Sequence, residues 1–331
     1  MTQRTRYFLT VSALVIAVGL GTGLVAYYNG GMLSRSAGPA EFAYVPTDSA
    51  TLAYADVRTI MNSEFSQRLR QLLPTGEDKT RIQNELGLDI ERDIDTVVAT
   101  FMPGKNSEAG IVLVRGRFDD DMIQTKAVQH GAKVETYRGK KLILGSHSAT
   151  IQRDGATTEI QKTGGVAVLE PGLLALGDGA TLKRAIDAAA ERKNITQNSE
   201  MMKLVNDIQG TGNAWAVGRM DAVAQHGGIP EAARTQMSSV QWFSVVANVN
   251  GGLNGTLRAV TRDEQSATDL RTMVAGGLAG LRMMAGQDKR VEALTNSVQV
   301  QGQGTTVAVT FSLQPELLDL IAKTTGAPIG K

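Results

Sequence analysis

Thr96-Val-Val-Ala-Thr-Phe101, then Pro103 to Gly110, then Ile111-Val-Leu-Val-Arg-Gly-Arg-Phe118 read as two apolar strands joined by a turn. Asp119 then opens a helix that runs to about Gly131. The same pattern returns later. Phe243-Ser-Val-Val-Ala-Asn-Val249 is a strand, Asn250-Gly251-Gly252 a turn, and Gly255 to Thr261 a second strand. Arg262 to Gln265 lead into a helix from about Ser266. Val97-Val98-Ala99 matches Val245-Val246-Ala247, and Gly110-Ile111-Val112 matches Gly255-Thr256-Leu257.

The flanks repeat as well. Leu52-Ala-Tyr-Ala-Asp-Val-Arg58 precedes the first hairpin and Ala214-Trp-Ala-Val-Gly-Arg-Met220 the second. Further strands follow each unit: Lys141 to Leu144, Val166 to Leu169 and Leu173 to Leu176 in the first half, Ser297 to Gln301 and Thr305 to Ser312 in the second. The halves close with helices at Ala180 to Arg192 and Pro315 to Ala322. Short turns between strands favour antiparallel pairing over parallel crossovers. The expected fold is therefore α+β: a curved, mainly antiparallel sheet with helices on one face, built by internal duplication. Two polar excursions depart from the repeat. Gly145 to Gly164 carries Asp154-Gly155 at its centre and reads as a protruding hairpin, and His226 to Ser239 is the other.

Ahead of this body, the uncharged run from Phe8 to Tyr28 has 21 residues, close to the roughly 20 that cross a hydrocarbon core as a helix. Phe8, Leu14, Val15, Ile16, Leu20 and Leu24 supply its apolar bulk, and Tyr27 and Tyr28 suit the outer interface. Arg4 and Arg6 precede the run and no cation follows until Arg35, which keeps the N-terminus cytoplasmic and exports the rest. The competing reading is a cleaved signal peptide, whose apolar region is about 7–15 residues and ends in a small-x-small motif. Val25-Ala26-Tyr27-Tyr28 fits that motif poorly, which favours an uncleaved anchor. Gly19 and Gly23 form a G-x-x-x-G pair, a spacing that allows helix dimerisation but is also common in membrane helices. The expected organisation is a cytoplasmic stub and anchor over 1–28, a tether over 29–41, a first repeat over 42–210 and a second over 211–331. That places the chain in the inner membrane as a single-pass protein with a periplasmic or other extracytoplasmic body.

Composition narrows the function. The 331 residues include no cysteine, which removes disulfides, thiol nucleophiles, Cys-ligated metals and Cys-anchored lipid. With 34 Lys+Arg against 33 Asp+Glu, no basic field exists for nucleic acid. Beyond position 35 the body is slightly acidic.

Catalytic motifs are sparse. His130, His147 and His226 stand too far apart for a helical metal pair. Asp119-Asp120-Asp121 is read as a helix cap, and Asp89, Glu91, Asp93 and Asp95 lack the spacing of a calcium loop. No phosphate-binding loop, S-x-x-K or nucleophile elbow occurs, and no cofactor is expected. An envelope hydrolase would need His147 or His226 beside a Ser and a carboxylate. One helix is unusual. Ala267 to Gly286 keeps helical apolar spacing yet carries Gly276, Gly277 and Gly280 inside it. It reads either as closely packed on a neighbour, or as a lid over an apolar cavity lined by Met273, Leu278, Met283 and Met284.

Several stretches carry a resemblance. Tyr44-Val-Pro-Thr-Asp48, Leu52 to Arg58, Leu86-Gly-Leu-Asp-Ile-Glu-Arg-Asp-Ile-Asp95, Val114 to Phe118, Gly172-Leu-Leu-Ala-Leu-Gly-Asp178 and Ala185-Ile-Asp-Ala188 resemble those of membrane-anchored, exported bacterial proteins with a duplicated α+β domain of unknown function. The resemblance covers much of Tyr44 to Ala189 and implies a structural kinship without an assigned reaction. The expected role is an envelope binding or scaffolding protein. Its partners would be the lipid bilayer, an envelope protein or apolar ligand, and a second copy of itself. An anchored lipid or polypeptide carrier is the alternative, and a hydrolase the third.

Overall fold

β-Branched and alternating runs do form strands, and they assemble into one sheet rather than two. The computed structural model describes residues 39–72, 90–102, 109–153, 156–226, 237–284 and 289–315. In the first half, α1 (Pro39–Phe42) leads into β1 (Thr51–Asp56), α2 (Val57–Met61), α3 (Glu64–Leu72) and α4 (Ile90–Asp93). The hairpin β2 (Ile94–Met102) and β3 (Ala109–Gly116) follows, then α5 (Asp120–Gln129), β4 (Lys133–Tyr137), β5 (Lys140–Arg153), β6 (Ala156–Glu170) and β7 (Leu173–Gly177). Two helices, α6 (Gly179–Ala190) and α7 (Ser199–Ile208), end this half. The second half comprises β8 (Ala214–Arg219), α8 (Met220–His226), β9 (Val240–Val249), β10 (Leu253–Thr261), α9 (Glu264–Met284), α10 (Lys289–Asn296), β11 (Gln299–Gln301) and β12 (Thr306–Leu313).

All neighbouring strands pair antiparallel, in the order β11-β12-β10-β9-β8-β1-β2-β3-β7-β6-β5-β4. The first strands of the two halves, β1 and β8, meet at the centre, where Ala53 faces Ala216. From that pair outward the ladders mirror each other. Each central strand runs straight into a helix, at Val57 and at Met220. Leu52 pairs with Thr100 and Trp215 with Val246; Thr100 pairs with Ile111 and Val246 with Thr256. Gly110 and Gly255 therefore fall on equivalent rungs, as their sequence match implies. The β2 and β9 match is displaced by two residues, since Thr100 rather than Val98 occupies the place of Val246. Both strands are near-continuous Val/Ala runs, and a two-residue slip keeps every side chain on its proper face. Asp119 and Asp263 then cap the equivalent helices, accepting from the backbone N–H groups of Met122 and Ser266.

The helices cover both faces of the sheet, which corrects the expectation of one. Adjacent residues along a strand enter different clusters. Tyr54, Val98, Leu113 and Leu173 pack with Leu182, Ile186, Met201 and Val205 of α6 and α7. Ala55, Val97 and Val114 face the other way, onto Val57, Ile60 and Phe65 of α2 and α3, while Leu174 packs on Ile123 of α5. Strands that are apolar on both sides need cover on both sides, which the Val-Val, Leu-Val and Leu-Leu doublets in the sequence already signal.

Gly145 to Gly164 is indeed a hairpin. Strands β5 and β6 stay paired out to Arg153 and Ala156. Residues 227–236 of the second excursion and the helix expected from 315 to 322 lie beyond or almost wholly beyond the described residues. So does the expected anchor with Phe8, Leu14, Val15, Ile16, Leu20, Leu24, Tyr27 and Tyr28. Among the described residues no helix is long and apolar enough to cross a membrane.

Candidate functional site

The junction of the two halves holds a cleft of about 290 Å³. Its floor is aromatic. Trp215, on β8, is 2 % exposed and stacks on Tyr54 of β1 at 5.7 Å between ring centroids, with Phe42 set edge-on against it at 6.5 Å. The register Tyr54↔Trp215 places these rings side by side across the central ladder. Above them the lining turns polar, because β1 ends at Asp56, β9 runs out into Asn248 and Asn250, and α7 ends just before Gly210 and Thr211.

Local hydrogen bonds fix this wall. Asp56 caps α2, its two carboxylate oxygens accepting from the Thr59 N–H at 3.0 Å and the Thr59 hydroxyl at 2.9 Å. The Asp56 N–H donates to the Asn213 carbonyl at 2.7 Å. The Asn213 side chain bridges to β9 through both of its ends, donating to the Val249 carbonyl and accepting from the Val249 N–H. Thr211 donates its hydroxyl to the Ile208 carbonyl at 2.5 Å. Gly212 has to be glycine, since a Cβ there would lie 2.4 Å from the Ala247 carbonyl oxygen. The cleft is therefore a built, hydrogen-bonded feature of the seam between β1, β8 and β9. Sequence reasoning missed it. The one available signal was the matched pair of flanks that carry Tyr54 and Trp215.

The residues singled out from sequence lie elsewhere. Met273 and Met283 are 38 % and 85 % exposed on α9, Leu278 is half-buried, and the Met284 side chain lies outside the described residues. α9 is anchored near its start through buried Ala267 and through Arg271, which donates to the Thr306 carbonyl at 3.0 Å, and in its last turn through Arg282, which donates to the Thr295 carbonyl of α10 at 3.0 Å. Close packing does not account for Gly276 or Gly280. A Cβ at Gly276 or Gly280 would meet nothing within 4 Å.

His130 is the C-cap residue of α5. His147 sits on β5 opposite Lys162 and His226 ends α8; the side chains of both lie outside the described residues. Asp93 pairs with Arg92 at 2.9 Å, and Asp95 with buried Arg58 at 2.5 Å. Asp89 and the Glu91 side chain are outside the described residues. Among the described residues, no three His, Cys, Asp or Glu groups gather as a metal site. Elsewhere, Tyr44 donates to Glu170 at 3.0 Å beside the Arg115–Glu41 ion pair. Burial first, and then that bond to a carboxylate, push the Tyr44 phenol up to about 12.

A single broad antiparallel sheet, pseudo-symmetric about its centre and flanked by helices on both faces, defines the chain as an α+β protein of mixed layers. Crystal form III of TP0453 has a similar fold, with a TM-score of 0.52 at 10% identity over 86% of this chain and 98% of that one. Crystal form I aligns with a TM-score of 0.47, also at 10% identity, over 87% and 99% of the two chains. At that identity the likeness of form III extends to the fold alone. No protein-family model and no curated protein matches the sequence.

Proposed function

We propose that the protein is a membrane-tethered binding or scaffolding module of the cell envelope, with its body on the extracytoplasmic side of the inner membrane. The observation that carries this reading is the uncharged run from Phe8 to Tyr28 behind Arg4 and Arg6, which fits a cytoplasm-in anchor. The body behind it offers a wide sheet with a polar cleft at its centre. Its two mirrored halves read as copies of one ancestral unit joined edge to edge, and residues of both line the cleft at the seam. The likeness to TP0453 is compatible with this reading at the level of fold. Envelope-protein partners or a second copy of the chain are the expected company, and no cofactor is invoked.

The apolar-carrier reading is the second. It draws on the exposed apolar face of α9, where Met273 and Met283 stand out in solvent. Cross-linking in intact cells, followed by mass spectrometry of the captured material, tests both. Recovery of an envelope protein supports the binding reading and recovery of lipid the carrier reading. Recovery of neither overturns both.

A further inference from the structure

The cleft at the seam has a chemical bias that deepens the binding reading on which this inference rests. Its lining combines one carboxylate with two hydroxyl oxygens whose protons are already spent inside the protein. The Thr59 hydroxyl proton is committed to Asp56 and the Thr211 hydroxyl proton to the Ile208 carbonyl, so both oxygens face a ligand as acceptors. Asp56 carries the only formal charge among the described lining residues, and no Lys or Arg joins it. The C-terminal turn of α7, a helix of ten residues, ends at this wall and adds the negative end of its dipole. Its donors are the side-chain amides of Asn213, Asn248 and Asn250, the Tyr54 hydroxyl, the Trp215 indole N–H and backbone N–H groups, none of them charged. One carboxylate is too few for a bare divalent ion, and about 290 Å³ is far too roomy for one.

We propose that the cleft binds an organic cation through a primary ammonium or guanidinium group. Asp56 is the counter-ion, Thr59 and Thr211 accept its remaining N–H groups, and the Tyr54–Trp215 pair forms the apolar floor under its alkyl stem. The group belongs either to a free amine or to an exposed Lys or Arg side chain of a partner.

The test uses the full chain in detergent with Trp242→Phe, which leaves Trp215 as the sole indole reporter, because the sequence has two tryptophans. Agmatine, cadaverine, Nα-acetylarginine amide and an Arg-containing tripeptide with blocked ends are titrated against Trp215 fluorescence, with Nα-acetylcitrulline amide as the neutral counterpart of the blocked arginine. The expected result is saturable binding of cations, weakening with added salt, with no response to the blocked citrulline. Asp56→Asn, which keeps an oxygen for the Thr59 N–H, should weaken binding by about tenfold or more. Binding of agmatine or cadaverine assigns a free amine; binding confined to the tripeptide assigns a partner side chain. Equal response to the blocked arginine and the blocked citrulline, no response to any cation, or an Asp56→Asn variant that binds unchanged overturns the inference. The membrane-tether reading survives any of these, since it rests on topology measured separately.

Discussion

Trp215→Ala is the sharpest probe of the seam. The indole is 2 % exposed and fills the space between β1, β8 and α1, stacked on Tyr54 and edge-on to Phe42. Burial of an aromatic of this size removes about 200 Å² from water, worth roughly 5 kcal/mol at ~25 cal/mol per Å². Alanine retains about 1 kcal/mol of that through its methyl group. Two lost ring pairs add about 0.5–1.5 kcal/mol each, and partial collapse of the cavity offsets some of the total. The net cost should be about 4 kcal/mol, a large share of the roughly 5–15 kcal/mol that holds a domain folded. Urea unfolding of the detergent-solubilised chain, followed by circular dichroism and by Trp242 fluorescence, measures it. Since β1 and β8 belong to one ladder, both probes should shift together to lower urea. A loss under about 1.5 kcal/mol would refute the packing argument. Two separated transitions, with Trp242 unmoved, would refute the continuity of the sheet.

Four further outcomes follow from particular residues. Gly276→Ala and Gly280→Ala add a methyl group to open space inside a helix, so each should raise stability by about 0.5–1 kcal/mol; a loss from either would show a neighbour that crowds α9. Gly116→Ala should do the opposite, because its Cβ would sit 1.9 Å from the Asp93 carbonyl oxygen, and a drop of about 1–3 kcal/mol in the same urea assay is expected. Asp178→Ala removes acceptors for the Thr181 N–H and hydroxyl at the start of α6 and should cost about 1 kcal/mol, with Asp178→Asn recovering most of it. Tyr44 supplies the pH signature. Its folded phenol titrates near 12 against an ordinary 10, so the unfolded chain loses that proton first and stability should fall as pH rises from 10 to 12. Ultraviolet titration reads the phenol directly, and Tyr44→Phe should flatten that part of the stability profile.

Strand existence and antiparallel pairing were legible because they reside in local patterns. Val97-Val98 and Val245-Val246 are strands wherever they pack, and Asp119 and Asp263 announce helix starts through short-range capping. Register was less legible. A two-residue slip between β2 and β9 leaves the apolar pattern unchanged, and only the ladders to β1 and β8 fix it. The second layer of helices was hidden in plain view, since the doublets Leu113-Val114 and Leu173-Leu174 demand cover on two faces. The cleft was not legible. Tyr54, Thr59, Thr211 and Asn248 are scattered along the chain and converge only because β1 lies beside β8 and β8 beside β9. Met273 and Met283 were conspicuous for composition, yet α9 presents them to solvent, and the described cleft lies on other elements.

The proposed function depends above all on where the body resides, and the absence of cysteine from the sequence allows a clean measurement. Met283→Cys places one thiol at a position 85 % exposed on α9, and Gln3→Cys places one ahead of the membrane run. Spheroplasts carrying either variant are treated with a membrane-impermeant maleimide before and after lysis. Labelling of Met283→Cys in intact spheroplasts, with Gln3→Cys labelled only after lysis, is the predicted result. Labelling of Met283→Cys only after lysis would place the body in the cytoplasm and contradict it.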